Sequence, residues 1–98
     1  MKKEREKVLE KKLKKSVKGL GGWSFKLGTM HIRGLPDQIC LLPKGVVFFA
    51  EIKETGLKPT KLQQVIHKKI RSLGFEVVVV DSTQIINNII TKYENKMR

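Results

Sequence analysis

The chain has 98 residues, with 21 Lys or Arg against 9 Asp or Glu, a formal net charge of +12. Such a length predicts one domain, residues 1–98, with a modest core that gains buried area by self-association, and the charge points to a polyanionic partner, nucleic acid first. The single cysteine rules out an internal disulfide, and with no run of about 18 apolar residues and no apolar signal segment the pattern excludes a membrane span and fits a reducing, cytoplasmic setting.

Met1 to Leu20 is lysine-rich, and Val8, Leu9, Leu13, Val17 and Leu20 recur at helical intervals, giving one apolar stripe on a cationic rod. Gly21-Gly22 ends it. Glu4 and Glu6 lie near the fraying end; Glu10 lies on the shoulder of the stripe, where it either pairs with Lys14 one turn on or faces a site. Trp23-Ser24-Phe25-Lys26-Leu27 alternates large apolar with polar residues, the pattern of a half-buried strand with Ser24 and Lys26 on its polar face. Gly28 to Gly34, with His31 and Arg33, is a loop suited to touching phosphates. His31 is read either as a surface residue or as a general acid or base.

Two apolar runs, Gln38 to Leu42 and Val46 to Ile52, flank Pro43-Lys44-Gly45 and predict an antiparallel hairpin. If the turn is centred on Lys44, Asp37 lies directly opposite Glu51. Strand alternation puts Lys53 on the face of Glu51, with Val47 and Phe49 behind them. Carboxylates held this close repel unless a proton or cation lies between them, and hard oxygen ligands suit Mg²⁺ or Mn²⁺. The bland alternative is a pair of solvated strand-end charges. A slip of one residue would send Asp37 to the other face.

Glu54 to Pro59 is a loop, and Thr60-Lys61-Leu62-Gln63 fits a capping box that starts a helix running through Val65, Ile66, Ile70 and Leu73 to Gly74. Gln63 is thus either a cap or a site residue, with His67 one turn further on. Cys40 reads as packing. Phe75 to Val80 is an uninterrupted β-branched run, expected as a strand buried on both faces. A right-handed crossover would place it parallel to the hairpin strand ending at Lys53. Asp81 to Gln84 offers caps for a last helix bearing Ile85, Ile86, Ile89, Ile90 and Tyr93, followed by a basic tail. The expected fold is α/β, a small mixed sheet mostly covered by three helices.

With those residues in place, the chain resembles the PD-(D/E)xK nuclease superfamily and, within it, the virus-type replication-repair nuclease (VRR-NUC) domain that stands alone in phages. The resemblance runs over nearly the whole chain: Glu10 in the first helix, Lys26, Arg33-Gly34-Leu35-Pro36-Asp37, Phe48-Phe49-Ala50-Glu51-Ile52-Lys53, and Gln63 ahead of Leu73-Gly74-Phe75. Val or Leu often stands where this chain has Ala50. The resemblance implies a restriction-endonuclease-like αβββαβα core, cleavage of DNA phosphodiesters dependent on Mg²⁺ or Mn²⁺, and Asp37, Glu51 and Lys53 as the catalytic positions, with Glu10 and Gln63 in support. On that basis the metal is assigned to Asp37, Glu51 and the Ile52 carbonyl, with Glu10 holding a second ion or its hydration shell. Lys26, Arg33, Lys58 and Lys61 are the candidates for gripping DNA. It also implies a homodimer acting on branched DNA such as four-way (Holliday) junctions, as a phage or prophage protein in the host cell. The rival reading is a non-catalytic basic DNA- or junction-binding protein with a decayed nuclease fold, which would bind DNA in a salt-sensitive way without cutting it.

Overall fold

A computed structural model describes residues 3–28 and 31–98. Along the chain run α1 (Glu6–Gly19), β1 (Trp23–Lys26), β2 (Gln38–Leu42), a turn of 3₁₀ type (Pro43–Gly45), β3 (Val46–Ile52), α2 (Lys61–Ser72), β4 (Glu76–Val80) and α3 (Thr83–Lys96). This is the αβββαβα order. The expected helical start at Met1 and Lys2, and the centre of the Gly28 to Gly34 loop at Thr29 and Met30, lie outside the described residues.

The strands form one mixed sheet in the order β1-β2-β3-β4. The hairpin register follows from its turn. Lys44 and Gly45 both take left-handed φ values, 65° and 74°, which fold the chain back in three residues. Gln38 then faces Ala50 and Leu42 faces Val46. The next pair outward on this register is Asp37 and Glu51. After β3 the chain crosses over through α2, and β4 pairs parallel to β3, with Glu51 beside Val79.

One face of the sheet carries the core. Leu9, Leu13 and Val17 of α1 and Ile86, Ile89 and Tyr93 of α3 pack on Cys40, Leu42, Phe48, Ala50, Ile52 and Val80. Phe48 and Tyr93 stack with ring centroids 4.8 Å apart. Each such buried side chain contributes about 1.5–3 kcal/mol. Only three positions of the predicted α1 stripe are fully buried: Val8 is exposed and Leu20 half-buried.

The other face is less covered than the sequence pattern suggests, because α2 lies over the β3–β4 side and leaves the β1–β2 side open. In β1 the inward residue is Ser24, paired with buried Cys40, while Trp23 is 65% exposed. A Cβ on Gly22 would sit 2.5 Å from the Leu41 carbonyl oxygen and 3.1 Å from Val17 Cγ1, so β2 and α1 close tightly on the start of β1. β4 is covered from both faces, with Val77 and Val80 buried, but it is an edge strand, and Phe75 lies outside it and exposed.

The segment before α1 ties the far end of the sheet together. The Glu4 backbone pairs with Thr55 in both directions, and the Thr55 hydroxyl donates to the Asp81 carbonyl at 2.6 Å. The Glu4 carboxylate accepts from the Thr83 backbone N–H at 2.7 Å and from the Thr83 hydroxyl, and pairs with Lys12. These bonds to Thr83 hold its pKa down to about 2. Glu4 thus caps α3 together with Ser82, rather than fraying.

Gly22→Ala is expected to destabilise the fold by about 1–3 kcal/mol through overpacking, whereas Gly19→Ala, with nothing within 4 Å of its added Cβ, should stay within about 0.5 kcal/mol. Urea unfolding of the two variants checks the difference.

Candidate active site

The site forms where β2 begins and β3 ends. Leu27 N–H donates to the Asp37 carbonyl at 2.8 Å, which extends the β1–β2 ladder and fixes the Asp37 backbone. On the other side, Ile52 N–H donates to Asp37 Oδ2 at 2.8 Å. Gly34, just upstream, takes φ +85° against α2; a Cβ there would lie 3.0 Å from both Leu62 and Ile66 side-chain carbons. The approach to Pro36-Asp37 is therefore seated on α2.

Glu51 is 1% exposed. Gln63 Nε2 donates to its Oε2 at 3.2 Å, Lys53 Nζ lies 3.8 Å from the same oxygen, and His67 Nε2 is 3.4 Å from Oε1. The capping box explains how Gln63 reaches it. Its Oε1 accepts from Thr60 N–H at 2.9 Å, which leaves the amide nitrogen to donate to Glu51, so the cap residue also contacts the acid. Burial pushes Glu51 up to about 8, with the neighbouring Asp37 carboxylate adding to it by repulsion and hydrogen bonding, Lys53 opposing, and Glu6 adding further repulsion. Burial dominates over the single lysine. It also lowers the pKa of His67, which is 1% exposed, with Arg71 and Lys53 acting in the same direction.

A cleft of about 150 Å³ opens beside this pair, lined by Glu6, Glu10, Lys26, Leu27, Asp37 and Ile52. Both glutamates of α1 therefore border it. Glu6 is the one whose charge acts on Glu51; Glu10 is engaged by Lys14 at 3.7 Å and Lys26 at 3.5 Å. Accordingly, among the described residues no three His, Cys, Asp or Glu side chains converge on one point. The larger hollow of about 670 Å³ lies at the opposite end of the sheet, around Gly45, Phe75 and Lys96, away from the acid pair.

The structure thus brings together Asp37, Glu51, Ile52, Lys53 and Gln63, with Glu10 across the cleft. Lys26 stands at its rim in an ion pair, while Arg33, Lys58 and Lys61 are exposed on the surrounding loops and the start of α2. His31 is exposed. His67 is the contact the sequence left without a role; its signal was the one-turn spacing from Gln63, which puts both on the face that meets Glu51. Glu6 stands one turn before Glu10, the alternative that the helical spacing offers, and both border the cleft.

A small mixed sheet flanked by three helices, carrying an acid pair, a lysine and a glutamine at one end, defines a nuclease-like fold. The comparisons agree. No family model matches the chain. A phage protein described as "Putative nuclease p44", from Acyrthosiphon pisum secondary endosymbiont phage 1, is 40% identical over 78 residues, 80% of this chain and 84% of that protein. A solved structure described as "VRR_NUC domain" superposes with a TM-score of 0.85 at 34% identity, covering 90% of this chain and 96% of its own. The chain belongs to the VRR-NUC family of nucleases.

The acid pair has a thermodynamic consequence. Between 4.5 and about 8 folded Glu51 holds a proton that the unfolded chain has lost, so stability falls as pH rises through that window. His67 acts oppositely: folded it resists protonation, so its contribution is lost below 6.5. In EDTA, stability should therefore fall from about pH 6.5 to 8, by at most about 1.4 kcal/mol per pH unit. Urea unfolding across that range should lose the slope in Glu51→Gln; a slope retained by the variant would assign it to another group.

Proposed function

We propose that this protein is a DNA endonuclease dependent on Mg²⁺ or Mn²⁺, acting on branched DNA such as four-way junctions as a homodimer, in the cytoplasm of a phage-infected or lysogenic host. The observation that carries the hydrolytic reading is buried Glu51 meeting half-buried Asp37 beside Lys53. A carboxyl whose ionisation is suppressed by burial and by a second acid is in want of positive charge, and two carboxylates with a backbone carbonyl and waters fit a hard cation with an open shell. Asp37, Glu51 and the Ile52 carbonyl would hold the ion. When bound, it supplies Lewis-acid activation of the phosphate and of the attacking water.

The chain's own groups do the rest. Gln63 and His67 hold the two Glu51 oxygens in place, as outer partners of a ligating carboxylate do. Lys53, 3.8 Å from Glu51 Oε2, orients or deprotonates the water, or stabilises charge on the phosphorane-like transition state. Water adds to phosphorus as the bond to the 3′-oxygen breaks, and that oxygen leaves with a proton. Glu10 borders the cleft as a holder of hydrating water, and Lys26, Arg33, Lys58 and Lys61 grip the flanking backbone.

Dimerisation is supported by the uncovered sheet face. Trp23 packs on Phe25 at 4.6 Å, Phe49 meets Phe75 edge-on at 6.1 Å, and Trp23 and Phe75 are exposed. Two aromatic pairs of this kind, one on the edge strand β1 and one at β3 and the approach to β4, fit a second copy of the same face. Two clefts on one particle suit a branched substrate with two strands to cut. No helix among the described residues is long and apolar enough to cross a membrane.

Labelled duplex, flap, splayed and four-way substrates should be cleaved with Mn²⁺ and left intact with EDTA, the junction fastest. Lys53→Ala should lose about 10²-fold or more of cleavage while binding DNA in EDTA as before; cleavage at the parental rate would remove Lys53 from the chemistry. Trp23→Glu combined with Phe75→Glu should sediment as a monomer where the parent sediments as a dimer. A parent that is monomeric at all concentrations refutes the dimer alone.

A further inference from the structure

The outward flank of α1 holds a second feature, which the acid cleft does not explain. Lys7, Lys11 and Lys14 of α1 and Lys26 of β1 line a groove of about 350 Å³, and Glu10 is the one acid among its walls. The lysines stand at i, i+4 and i+7, so they share one side of the helix. Elsewhere on the helix Leu9, Leu13 and Val17 face the core, and Lys12 pairs with Glu4 and Thr83. Glu10 and Lys26 belong both to this groove and to the cleft that contains Asp37 and Ile52, so the two depressions are continuous.

We infer that this lysine groove is a backbone track, taking the phosphates of the DNA strand on one side of the scissile position and leading it into the acid cleft. The identity of the polyanion rests on the nuclease reading; the track itself does not require cleavage. From Lys7 to Lys14 the helix rises about 10 Å, enough for its ammoniums to meet consecutive phosphates of one strand. Lysine ammoniums suit this task, since each is a mobile point charge that follows a backbone without reading bases. Glu10, paired with Lys14 and Lys26, spaces the ammoniums at the junction of groove and cleft and keeps a phosphate from stopping short of the acid pair. A rival track runs over the outer face of α2, where Lys61, Gln64, Val65, Lys68 and Arg71 line a hollow of about 540 Å³. That surface shares no residue with the acid cleft.

The test is fluorescence anisotropy with labelled duplex and four-way DNA in EDTA over a salt series. It compares the parent with Lys7→Ala/Lys11→Ala and with a charge-matched control, Lys68→Ala/Lys96→Ala, circular dichroism establishing that each is folded. The groove variant should bind more weakly and show a salt slope shallower by about 1.8, some 0.9 for each lysine lost, while the control keeps the parental slope. Equal losses in both variants would mean a diffuse polycation and overturn the track, as would an unchanged slope in the groove variant. Cleavage with Mn²⁺ is scored separately. A parent that never cuts but loses slope only in the groove variant defeats the nuclease reading and keeps the track; a parent that cuts, with slopes alike in all three proteins, does the reverse.

Discussion

Two acids forced to share one end of a hairpin are the constraint on which the structure turns. The three-residue turn at Pro43–Gly45 fixes the register, and the register leaves Asp37 no choice but to approach Glu51. Left alone, a carboxylate as dry as Glu51 beside a second acid would open the ladder. They are held by an Ile52 N–H on one acid and by Gln63, His67 and Lys53 on the other. Those donors fix geometry without cancelling the repulsion, since Glu51 still prefers to keep a proton up to about 8. On the proposed reading, that residual want of positive charge is the driving force for taking up a cation.

Much of the remaining architecture brings partners to this point. The β3–α2–β4 crossover lays α2 along the exit of β3, and its first two turns supply Gln63 and His67. Gly34 lets the incoming loop sit directly on α2. Behind the site, the Glu4, Thr55, Asp81 and Thr83 bonds tie the start of the chain to the ends of β3 and β4, so α1 cannot swing away from the cleft that Glu6 and Glu10 border.

Several of these features were legible in the sequence because they are local. The hairpin and its register follow from a Pro-Lys-Gly turn between two apolar runs, and the α2 start follows from Thr60 and Gln63 in a capping box. The parallel placement of β4 follows from strand, helix, strand order. What escaped depends on distant parts of the chain. Trp23 looks inward by alternation but is 65% exposed, because Ser24, paired with buried Cys40, takes the inward place. Glu4 looks like a fraying end, yet its partner Thr83 lies 79 residues away. Along α1, lysines on several sides leave the rotation of Glu6 and Glu10 about the site undetermined until β1 and the β2–β3 end are in place.

On the proposed reading Asp37 and Glu51 form a divalent-cation site. Anomalous diffraction from a crystal soaked in Mn²⁺ tests it most directly. The expected result is a peak coordinated at about 2.1 Å by carboxylate oxygens of both Asp37 and Glu51, with the Ile52 carbonyl and water completing the shell. A peak bound elsewhere on the protein, or density at the pair with no anomalous signal at saturating Mn²⁺, would contradict it.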